Sequence, residues 1–166
     1  MKSIKILTLV LLAFGFSTAT FAQSTATASA TATFLVPISI EKNTDLNFGT
    51  LASSATAGTA VLSTSSVLSK TNGVTIVSGT PTAAQFTVTG DTNKSFSVTR
   101  PASIVLTGSV SGSLTLTLAD DLGGATGTLV SGTKVIKVGG TLTVPANTVA
   151  GTYSNASGLS ITVNYN

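Results

Sequence analysis

The 166-residue chain contains no histidine, no cysteine and no tryptophan, and only five carboxylates. Without histidine or cysteine, Ser-His-Asp and Cys-His nucleophiles, histidine-ligated zinc, thiolate clusters and thiol redox chemistry are excluded. No disulfide framework can staple the fold, so stability has to come from packing and strand hydrogen bonds. The five carboxylates show no spacing that supports a glycosidase-type acid pair. With so few groups able to do acid–base work, the expectation is a protein that is not an enzyme and uses no cofactor. Charged residues make up 8% of the chain and are scattered, with no basic patch interleaved with aromatics, which argues against a nucleic-acid partner. Two tyrosines are too few for an extended sugar-stacking platform.

What is present begins with a targeting pattern. Met1-Lys2-Ser3-Ile4-Lys5, the apolar run Ile6 to Phe16 and the small residues leading to Thr20-Phe21-Ala22 read as a signal peptide over 1–22, cleaved after Ala22. The run is shorter than the roughly 20 residues of a spanning helix, which disfavours a membrane anchor. Every later apolar stretch is broken by Thr, Ser or Gly, so no transmembrane segment is expected in the mature chain. Export across the inner membrane, to the periplasm, the cell surface or the medium, follows from the signal. Its removal takes away Lys2 and Lys5 and lowers the net charge of +3 to about +1.

Helical spacing is absent from the remaining sequence, and period-two alternation replaces it. Leu114, Leu116 and Leu118 alternate with Thr115 and Thr117, and Leu159, Ile161, Val163 and Tyr165 alternate with Ser160, Thr162 and Asn164. Val74 and Ile76, Phe86 and Val88, Phe96 and Val98, Ile104 and Leu106, Ile136 and Val138, and Leu142 and Val144 repeat the pattern. Turn signals separate them at Thr89-Gly90-Asp91, Gly108 to Gly112, Gly123-Gly124, Ser131-Gly132 and Gly139-Gly140. Short strands with such turns predict an all-β chain, an antiparallel immunoglobulin-like or Greek-key β-sandwich over 41–166.

The longest alternation lies at 23–40. Ala26, Ala28, Ala30, Ala32, Phe34, Val36, Ile38 and Ile40 share one face, and every odd position from Thr25 to Thr33 is Thr or Ser. At about 3.3 Å per residue this is far longer than an ordinary strand. Two readings stand. The segment is the first strand of its own sandwich with a frayed tip, or it is a donor strand whose alternate side chains enter apolar pockets of another chain while pairing with an open sheet edge.

Leu46-Asn47-Phe48-Gly49-Thr50, Phe86-Thr87-Val88-Thr89-Gly90, Val138-Gly139-Gly140-Thr141-Leu142, Ala150-Gly151-Thr152-Tyr153 and Ile161-Thr162-Val163-Asn164-Tyr165-Asn166 together resemble a family of exported bacterial proteins known as domain of unknown function number four thousand four hundred and two. The early Phe-Gly, the Gly-Thr-Tyr and the penultimate Tyr165 are more distantly similar to chaperone–usher fimbrial subunits and spore coat protein U-like proteins, although the usual cysteines are missing. That second resemblance implies a surface-assembly subunit whose partners are itself or related subunits. A monomeric adhesin-like or ligand-binding sandwich is the alternative.

Three smaller motifs are weighed against plainer readings. Asp120-Asp121 beside Gly123-Gly124 offers oxygen ligands to calcium, but a polar hairpin end fits better because no further acid lies nearby, and no metal site is expected. Gly123 to Gly127 is no phosphate loop, since no helix follows it. Asn93-Lys94-Ser95 and Asn155-Ala156-Ser157 satisfy the glycosylation triplet, a pattern common by chance.

Overall fold

A computed structural model describes residues 22–166, so the signal-peptide reading falls, apart from Ala22, outside the described residues. The chain divides into a unit Met1–Thr33 and a unit Phe34–Asn166. In the first, residues 22–33 are exposed and have no regular secondary structure. The second is all-β, with antiparallel sheets in a sandwich-like arrangement, as the alternation predicts.

Its strands are β1 (Ser39–Thr44), β2 (Thr50–Ser53), β3 (Gly58–Leu62), β4 (Leu68–Lys70), β5 (Val74–Ser78), β6 (Ala84–Thr89) and β7 (Ser95–Thr99). They continue with β8 (Ser103–Gly108), β9 (Ser113–Asp120), β10 (Thr126–Thr128), β11 (Thr133–Val144), β12 (Tyr153–Ser154) and β13 (Thr162–Tyr165). The main sheet runs β1-β6-β11-β9-β8-β12, with β3 added to β11 and β4 to β3. Two smaller sheets, β10-β7-β13 and β2-β5, supply the other layer.

Burial follows the period-two pattern because successive strand side chains point to opposite faces. In β9, Leu114, Leu116 and Leu118 are buried, and Ser113, Thr115 and Thr117 are exposed. Val88, Ile136 and Val138 from the main sheet meet Phe96 from β7 and Leu129 in a core where all five are fully enclosed. Each such side chain contributes about 1.5–3 kcal/mol relative to exposure. At the C-terminus Val163 is buried, and Leu159, Ile161 and Tyr165 are half-buried against the same core, although regular pairing with β7 covers only Thr162 to Tyr165.

Gly139-Gly140 is not a turn. The pair lies inside β11, whose register gives Val138 partners in β6 and β9, and Thr141 partners in β3 and β9. β6 and β3 therefore flank the same side of β11 one after the other, and the glycines sit at the changeover. A Cβ on Gly139 would stand 2.2 Å from the Leu62 carbonyl oxygen, and one on Gly140 2.4 Å from that of Thr117. Glycine is needed here for close approach of backbones, not for chain reversal. Glu41 is an exposed residue of β1.

Candidate functional site

The two sheets of the second layer do not join. Among the described residues β13 has ladder pairing with β7 alone and β2 with β5 alone, so each keeps one edge without a ladder partner. The inner face of the main sheet is left as the floor of a groove with a cavity volume of about 1080 Å³. Phe86 of β6, Ile104 of β8, Leu114 and Leu116 of β9, and Leu142 of β11 line that floor and are themselves buried, at 2–9% exposure. Residues 44–53 make one wall, and residues 148–156 with Leu159 make another. The floor carries no charge. At the rim, exposed Lys42 Nζ donates to Asp45 Oδ1 at 2.6 Å, so those two charges answer each other.

The residues singled out at the N-terminus divide into two groups. Ala26, Ala28, Ala30 and Ala32 are exposed and outside any strand, and Phe34 and Val36 are also exposed, Phe34 at 92%. Ile38 and Ile40 are half-buried against the core, and Ile40 pairs with Val88 in β1–β6. The reading as a first strand of the chain's own sandwich therefore describes Ile38 and Ile40. The apolar positions from Ala26 to Val36 have no such place.

The boundary between the two groups is pinned. Tyr165 Oη donates to the Val36 carbonyl at 2.7 Å and accepts the Asp91 N–H at 2.6 Å. The C-terminal strand singled out from sequence thus holds the base of the N-terminal segment.

The acidic pair is occupied by protein partners. Asp120 accepts from Arg100 Nε at 2.6 Å and from the Leu122 N–H at 3.0 Å, and Asp121 accepts from the Lys137 N–H at 2.9 Å. Among the described residues no group of three His, Cys, Asp or Glu side chains converges as metal ligands would. No described helix is long and apolar enough to cross a membrane.

Residues 38–165 match the model of the family described as Domain of unknown function (DUF4402). The chain belongs to that family. The match begins at Ile38, where side chains of this DUF4402 domain first pack on its core, and leaves the exposed apolar positions from Ala26 to Val36 outside it. No curated protein matches the chain.

Sequence reasoning missed the groove. Leu114, Leu116 and Leu142 alternate like any core leucine, and nothing in that alternation tells whether the opposing layer covers them. The clasp on Val36 was missed too, because 129 residues separate it from Tyr165.

Proposed function

We propose that this DUF4402 chain is an exported, non-enzymatic structural subunit of the fimbrial or coat kind, joined to copies of itself or to related subunits through its N-terminal arm, residues 24–36. It works in the periplasm, at the cell surface or outside the cell. The observation that carries this reading is a complementary pair of features in one chain. An exposed arm has an apolar face without a core to bury it, and the domain has an apolar groove bordered by β2, a strand laddered on one side alone.

The physical argument is strand addition. An arm extended at about 3.3 Å per residue presents alternate side chains to the groove floor, while its backbone pairs with an open edge. Threonine and serine on its other face keep the joint compatible with water. Catalysis is disfavoured by the lack of histidine and cysteine, and by the engagement of Asp120 and Asp121 within the fold.

Deleting Ser24 to Thr33 is expected to leave a folded domain that no longer assembles, and a synthetic peptide of those residues should bind the truncated form. Native mass spectrometry reads both. A truncated domain that multimerises like the full chain would overturn the proposal. The cavity also favours a second reading, a monomeric domain taking a small apolar ligand, which predicts monomers at high concentration and no peptide binding.

A further inference from the structure

We infer that Tyr165 and Pro37 fix the direction in which the arm leaves its own domain, and thereby select insertion into another copy over insertion into the chain's own groove. This rests on the arm-and-groove reading above.

The hydroxyl of Tyr165 is fully committed, donating to Val36 and accepting from Asp91. Its position is set by the sheet, because Tyr165 is in register with Phe96 of β7. Space for it is made at Gly90, where a Cβ would stand 2.3 Å from the hydroxyl oxygen. Pro37 adds an independent restraint. Its ring fixes its own φ and pushes Val36 out of the helical region toward extended backbone. The chain then enters β1, with Ser39 opposite Thr89 and Thr44 opposite Gln85.

Of the β1 residues, Lys42 and Thr44 border the groove. They lie toward the far end of the strand from Ser39, and Ser39 and Thr44 are about 16 Å apart at the usual rise. Residues 36–38, which lead into Ser39, therefore lie beyond the end of β1 that is away from the groove. For Phe34 and Val36 to enter the groove of the same copy, the backbone has to reverse at 36–38. The clasp on the Val36 carbonyl has to break for that reversal, and the extended Val36 that Pro37 imposes narrows it to turns centred on the proline. The arm of a neighbouring copy meets neither obstacle.

The test uses the full chain as wild type, Tyr165→Phe, Pro37→Gly and the double variant, read by native mass spectrometry and by binding of a synthetic peptide of residues 24–36. Wild type is expected to form multimers, and its residual monomers to bind the peptide. The double variant should move at least about tenfold toward closed monomers that refuse the peptide, because their own arm fills the groove. Tyr165→Phe, which keeps the ring and its packing, should give an intermediate shift and faster amide exchange at Ile38. A double variant that multimerises like wild type, or whose monomers bind peptide freely, overturns the inference and leaves the subunit reading intact. Wild-type multimers that survive deletion of Ser24 to Thr33 overturn both.

Discussion

Arg100 Nε donates to Asp120 Oδ2 at 2.6 Å with both side chains largely covered, at 21% and 10% exposure. Arg100 directly follows β7 and Asp120 ends β9, so the pair ties one layer of the sandwich to the other. Nη1 of Arg100 also donates to the Pro101 carbonyl at 3.1 Å. Asp120→Ala removes the carboxylate and leaves a largely covered guanidinium without its counter-charge. The expected loss is about 2 kcal/mol, below the cost of breaking a fully buried pair because Arg100 keeps some contact with water. Urea unfolding of the two proteins measures it. Since Asp120 and Asp121 already have partners, millimolar calcium should leave the wild-type Tm unchanged.

The glycine pair in β11 makes a sharper test of packing. Gly140→Ala drives a methyl group against the Thr117 carbonyl and the Leu116 side chain, where the neighbouring strand has no room to yield. A destabilisation of about 2–3 kcal/mol is expected, within the range for overpacked interiors. Gly124→Ala is the control, since nothing lies within 4 Å of a Cβ there, and its effect should stay within about 0.5 kcal/mol. Equal midpoints for the two variants in guanidinium would show that the strand changeover is not tightly packed.

Truncations of leucine should separate the enclosed core from the groove floor. Leu129 is completely covered, and Leu129→Ala is expected to cost about 4 kcal/mol through lost contacts and a new cavity. Leu142, although only 4% exposed, borders the groove volume. Leu142→Ala enlarges an existing space instead of creating one, so about 2 kcal/mol is expected. Denaturant midpoints at constant m-value give the difference, and the reverse order would mean that the groove is closed in solution.

Most of the strands were legible because alternation depends only on which face of a strand meets the core, as at Leu114, Leu116 and Leu118. Gly139-Gly140 misled because glycine serves both chain reversal and close backbone approach, and only the positions of Leu62 and Thr117 tell the two apart. The arm was legible as a pattern but not as an unpaired segment. Ala26 to Val36 alternate as Ile38 and Ile40 do, and the difference lies in what stands opposite them. The groove was invisible for the converse reason, since its floor is written in the same residues as the core.

Charges placed on the two faces of the arm decide whether its alternation is used. Ala28 and Ala30 share the apolar face, and Thr27 and Thr31 the hydroxyl face. If the arm adds to a neighbour as a strand, Ala28→Asp and Ala30→Asp each put a carboxylate against an apolar floor. The cost is about 3 kcal/mol, more than a hundredfold in affinity. Thr27→Asp and Thr31→Asp point the same charge to water and should assemble almost as well as wild type. Because residues 22–33 are exposed and outside every strand, all four variants should match the wild-type unfolding temperature when each is measured as a monomer at low concentration, so a loss of assembly reports on the joint alone. Concentration-dependent sedimentation gives the association constants. Equal losses from both faces would mean that the arm acts without a strand's two-sided register, and that the alternation from Ala26 to Val36 has another cause.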